Sequence, residues 1–191
     1  MRPSGVSRQG SGIQALLLER GKGTDVAELT TLESKIGEVL GLAMAAQGAT
    51  EKVGKLIEEE GGHDDLRGTL ERMHEEARET EERTTELAGN LDGKKTAILE
   101  KARETKQEAT EMMSTYLGDD ADALDGFEFL TMAEAGEVGH WSIVGKMNER
   151  AKVDGLEQLV GWVTPIQHKH FEQTLTGSLE LAADEDPNEP A

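Results

Sequence analysis

Residues 127–144 read Phe-Glu-Phe-Leu-Thr-Met-Ala-Glu-Ala-Gly-Glu-Val-Gly-His-Trp-Ser-Ile-Val, and their spacing decides the fold class. An α-helix turns about 100° per residue, so Phe127, Leu130, Trp141 and Val144 fall on one face. Glu134 and Glu137 project from that same apolar face, three residues apart, and His140 continues the ladder toward its flank. A carboxylate among apolar neighbours costs several kcal/mol, on the order given by burial of an unpaired charge, unless a partner or a cation meets it. A helix carrying apolar and acidic groups on one inward stripe belongs in a helical bundle with a polar feature in its core.

The rest of the chain extends this reading. Every segment between the termini has helical period, and none alternates as a strand would. The first helix is expected from Asp25 to Gln47, with Thr24 as N-cap and Gly48 as its stop. Ala49–Glu60 is either its continuation or a separate short helix, ended by Gly61-Gly62. A second helix is expected from Asp64 to Ala88, a third from Lys94 to Leu117 on the stripe Ile98, Thr105, Ala109, Met112 and Tyr116, a fourth from Asp125 to Ala151, and a fifth from Leu156 to Ala182. The fold expected is therefore all-α, a four-helix bundle with an additional helix. Residues 1–24 read as a flexible N-terminal segment, 25–182 as the bundle and 183–191 as an acidic disordered tail.

Composition agrees and excludes much. Aromatic residues make up 3% of the 191 residues, too few for a β-sandwich core. No cysteine is present, which removes disulfides, thiolate metal sites and cysteine nucleophiles. The formal net charge of −19 repels phosphate backbones and anionic lipid, so neither nucleic acid nor a membrane surface is an expected partner; cations are. There is no membrane-spanning apolar run and no apolar signal-type region in Met1–Gly12, so a cytoplasmic location is expected. No phosphate-binding loop or nucleophile elbow occurs.

Further polar residues fall on or near inward stripes. Glu33 lies within the arc of Leu29, Ile36 and Leu40, whereas Glu28 and Glu38 fall outside it. On the fifth helix, Gln167 and His170 share the face of Leu159, Val163, Ile166 and Leu181, while His168 points away. Pro165 lacks the amide of the helix ladder and predicts a bend just before Gln167. On the second helix, Glu71 and His74 have the Glu-x-x-His spacing but sit toward the edge of the stripe. Carboxylate and imidazole donors suit iron or manganese. A bundle core supplies such a site from a Glu on each of two helices and Glu-x-x-His on the other two. The candidate ligands are thus Glu33, Glu71, His74, Glu134, Glu137, His140, Gln167 and His170.

Three stretches resemble the ferritin-like superfamily on its rubrerythrin side, and in particular a small bacterial stress-linked family within it. They are Glu28-Leu29-x-x-Leu32-Glu33-Ser34-Lys35, Glu134-Ala135-Gly136-Glu137-Val138-Gly139-His140-Trp141, and Leu159 through Leu175. The resemblance implies a ferritin-like bundle that binds iron or manganese at a mono- or dinuclear site, with an oxidative-stress role. The family usually has paired acids where this chain has Gln167 and His168. Its second-helix motif is displaced here, with Glu76, Glu79 and Thr80 as an alternative match to Glu71 and His74. Loss of a charged ligand points to a mononuclear or degenerate site. The competing expectation is a non-catalytic bundle in which Glu33, Glu134 and His170 form a buried polar network. A hemerythrin-like site is disfavoured because its His-x-x-x-Glu and His-x-x-x-His spacings are incomplete. Ile13–Leu18 and the weakly apolar helix faces would support a homodimer.

Overall fold

The computed structural model describes residues 27–188; the expected N-terminal segment, its Ile13–Leu18 stretch and the last three residues of the acidic tail lie outside them. The described residues form five helices and no strand: α1 (Thr31–Glu60), α2 (Asp64–Asn90), α3 (Lys95–Tyr116), α4 (Ala123–Ala151) and α5 (Leu156–Asp184). None of these helices is long and apolar enough to cross a membrane.

The first helix starts later than the sequence reading placed it, and of the two readings of Ala49–Glu60 the structure has the continuation of the same helix, ended at Gly61. It starts at Thr31 because Thr30 and Glu33 form a capping box. The Thr30 amide donates to Glu33 Oε2 at 2.7 Å, and the Glu33 amide donates to Thr30 Oγ1 at 3.3 Å. The other end lies beyond Gly48, which does not stop the helix. A mid-helix glycine costs about 1 kcal/mol. Beyond it, Val53 and Ile57 are fully or almost fully buried on the same helix, and burial of each such side chain contributes about 1.5–3 kcal/mol. Tertiary packing therefore outweighs the local penalty, and α1 continues to Gly61, whose positive φ of 77° ends it.

The chain order produces two helical hairpins joined by a return helix. α1 packs on α2 and α4, and α5 packs on α4 and α2, closing a four-membered ring; α3 lies outside it against α1. α3 runs parallel to α1: Lys94 at its start approaches Glu33, and Ala102 meets Gly41 a further two turns along. A Cβ at Gly41 would overlap the Ala102 carbonyl, so glycine at this position permits the close approach of the two helices. The chain thereby returns to the far end of α1, where the Ala123 amide donates to Glu60 Oε1 at 2.6 Å, and α4 begins under an Asp122–Asp125 capping box. The expected inward stripe of α3 holds only in its first half. Ile98, Ala102 and Thr105 are buried, whereas Met112 and Tyr116 are exposed because the second half of α3 runs past the bundle edge. α5 is continuous through Pro165, and the carbonyl that loses its helix donor belongs to exposed Gly161.

The apolar core is divided. One cluster gathers Ile36, Leu40, Ile98, Trp141 and Val163; the other gathers Val53, Ile57, Leu70, Phe127 and Leu130. Between them lies a layer in which Thr80 and Thr84 of α2, Glu134 and Glu137 of α4, and Gln167, His170 and Thr174 of α5 are all buried.

Candidate functional site

The buried layer is built from helix periodicity. Glu134 and Glu137 occupy α4 positions one turn after Leu130 and one turn before Trp141, and they are 3% and 4% exposed. Gln167 and His170 are likewise one turn apart on α5, each 2% exposed. α2 contributes Glu76, whose side chain is 25% exposed and reaches in from the rim. His170 joins the three helices. Its Nε2 is 2.6 Å from Glu76 Oε2, and its Nδ1 is 3.6 Å from Glu134 Oε2, an ion-pair separation too long for a hydrogen bond of full strength. Glu76 Oε1 also accepts from Lys169 Nζ at 3.3 Å.

The electrostatics follow from this arrangement. Burial opposes protonation of His170, but the facing Glu134 and Glu76 carboxylates outweigh it and raise its pKa above the usual imidazole value. An imidazolium donates at both nitrogens, which suits a ring set between two acids. Burial acts on Glu76 in the raising direction; the hydrogen bond and charge of His170, with Lys169, overcome it and leave the carboxyl below its ordinary value. Burial pushes the Glu137 carboxyl well up, and the charge of Glu134 adds to this. Glu137 therefore holds its proton at pH values where an exposed carboxyl is ionised.

Three oxygens of the layer have no hydrogen-bond partner: Glu134 Oε2, Glu137 Oε2 and Gln167 Oε1. The Gln167 amide oxygen and an ionised carboxylate are acceptors only, a protonated Glu137 carboxyl also donates, and all three belong to residues of the inward stripes. A buried acceptor without a donor costs about 1–3 kcal/mol, more when charged. These atoms are a set that a cation would satisfy. Among the described residues, however, no group of three His, Asp or Glu side chains is gathered closely enough to hold a metal ion in this arrangement.

The other expected ligands lie elsewhere. Glu33 is occupied in the α1 cap and stands 3.6 Å from Lys94 Nζ; Ala46, beside Glu134, is about 20 Å further along the helix axis at 1.5 Å per residue. Glu71 is exposed on a groove between α1 and α2. His74 shares that groove, with its Nδ1 3.2 Å from the Gln47 carbonyl, 3.4 Å from Thr50 Oγ1 and 3.9 Å from Glu51 Oε1. His140 turns from the ring interior toward α1, its Nδ1 3.5 Å from Glu38 Oε2. The drift is geometric: each three-residue step falls about 60° short of a full turn, so two steps carry His140 about 120° from Glu134. Glu38, which the sequence reading placed on the surface, is partly buried between Lys35 and His140. On α2, the alternative Glu76 supplies the carboxylate that meets His170, and Glu71 does not.

On the α1–α3 side of α4, Glu134 and Glu137 also line a pocket of about 170 Å³. Ala45, Ala46 and Ala49 of α1, with Met112 of α3 and Met132 of α4, form its apolar walls.

No protein-family model matches the chain, and neither a curated protein nor a solved structure matches it.

Proposed function

We propose that this chain is a ferritin-like helical bundle that binds one transition-metal cation, iron or manganese, in its polar mid-layer. The observation that carries the reading is the pair of buried α4 acids, each with an oxygen that no donor meets. Glu134, Glu137, His170 and Gln167 would hold the ion, with Glu76 fixing His170 from the second helix. Two antiparallel hairpins linked by a return element along the bundle also fit a ferritin-like chain path. The bound metal would supply Lewis acidity and, for iron or manganese, access to one-electron chemistry. α1 offers no acid at this level, where Ala43, Ala46 and Thr50 stand, which favours one ion over two. Binding requires the donors to close around the ion, Glu137 to release its proton and His170 to give up the proton on Nδ1, so affinity rises with pH.

The test is elemental analysis of the purified full chain after growth with iron and manganese, beside Glu137→Ala and Glu33→Ala. Near-stoichiometric metal in the wild type and Glu33→Ala, lost in Glu137→Ala, is the expected result. Equal metal content in wild type and Glu137→Ala would overturn the assignment. One observation favours a second reading, a structural bundle without an ion: His170 already bridges two carboxylates and so satisfies part of the layer by itself. On that reading, chelation leaves the melting temperature unchanged.

A further inference from the structure

The pocket between α1, α3 and α4 has a chemistry of its own. Its walls are mainly alanine, methionine, leucine and phenylalanine side chains, and its polar groups are Glu134, Glu137, Thr110 and His140, the last with its Nδ1 turned to Glu38. Glu137 is 96% buried, and its Oε2 has no partner in the protein. Met112 and Met132 line the pocket and are both exposed, so solvent reaches it along these side chains. A volume of about 170 Å³ is close to that of a cavity that takes benzene, which sets the occupant at about six to eight non-hydrogen atoms.

An occupant of such a slot needs an apolar body and a head that donates to a carboxylate. Neutral apolar molecules would leave the Glu137 carboxyl unmet, and an anion would face the charge of Glu134. We infer that the pocket is a binding site for a small primary alkylamine, with its ammonium on Glu137 and its chain between Ala46, Ala49, Met112 and Met132. This goes beyond the metal reading, since it requires only the α4 acids and the pocket walls; an ion and an ammonium would compete for Glu137.

Isothermal titration of the full chain with n-pentylamine, 1-pentanol and pentanoate tests this, on protein freed of metal by chelation and on protein loaded with manganese. The expected result is saturable one-to-one binding of the amine, with the alcohol and the acid weaker by roughly tenfold or more. Glu137→Gln, which keeps the shape and removes the charge, should lower amine affinity by a similar factor of about ten. Ala46→Leu, which fills the slot, should abolish binding while leaving metal content at the wild-type level, so the two sites are scored separately. The proposal is overturned if the amine does not bind the metal-free chain, if pentanol binds equally well, or if Glu137→Gln retains the wild-type affinity. Because ion and ammonium share Glu137, the amine should bind the metal-free chain more tightly than the manganese-loaded one, and a chain that takes up no metal should bind it as the chelated protein does.

Discussion

His170 of α5 and Glu76 of α2 meet at 2.6 Å across the bundle, the shortest link between the two hairpins in the polar layer. The pair determines the sign of the protein's pH response. His170 has a raised pKa, so its stabilising contribution is complete below its unfolded value near 6.5 and is lost as pH rises through the folded value. Glu76 has a lowered pKa, so its contribution is complete above 4.5 and is lost as pH falls through the folded value. Urea melts of the metal-free chain should therefore show the pair's contribution greatest in the mildly acidic range. His170→Leu should cost about 3 kcal/mol or more there, because it leaves Glu134 buried without its partner. A loss that does not shrink as the pH is raised toward 10 would assign the effect to packing.

Glu137 gives a prediction of opposite sense. Its raised pKa means that folding is favoured while the carboxyl keeps its proton and loses that contribution as pH rises through the folded value. Glu137→Gln should leave metal-free stability at pH 5 nearly unchanged and raise it at pH 9 by about 1–3 kcal/mol, because the amide, unlike the carboxyl, never ionises in its buried place beside Glu134. Chemical denaturation at the two pH values is the measurement. An equal gain at both would show that the carboxyl is not the source.

The glycines of α1 should separate by environment. At Gly41 a Cβ would overlap the Ala102 carbonyl and sit 2.7 Å from Thr105 Cβ, so Gly41→Ala should destabilise by about 1–3 kcal/mol despite its better helix propensity. Nothing lies within 4 Å of a Cβ at exposed Gly48, and Gly48→Ala should stabilise by about 0.5–1 kcal/mol. Thermal melts of the two variants would show shifts of opposite sign.

Glu33 should behave as a cap. Glu33→Ala removes the acceptor for the Thr30 amide and should cost about 1 kcal/mol without altering metal content. A loss of metal in this variant would place Glu33 back among the ligands.

The helices and the buried layer were legible for one reason: periodicity reports which face of a helix is covered. It placed Glu134, Glu137, Gln167 and His170 inward because each shares a stripe with core residues. It failed for Glu33 because a residue at the third position of a helix can lie under the apolar arc and still be claimed by the cap. It failed for His140 because i,i+3 spacing drifts around the helix over two steps. The continuation of α1 through Gly48 depended on burial of Val53 and Ile57 against α2 and α4, which no local propensity encodes. Glu38 escaped notice since its value lies in a neighbour, His140, supplied by a helix about one hundred residues away.

The divided core has a mechanical consequence. Each end of the bundle contains its own apolar nucleus, and the same four ring helices thread both, so the polar layer acts as a seam between two short bundles. With an unmet Glu137 at the seam, the halves are joined chiefly by helix continuity, while the His170–Glu76 link holds the two hairpins together at the seam itself. On the metal reading, a cation seated there would act as a rivet that makes the two nuclei melt as one body, and its removal would free them to melt separately.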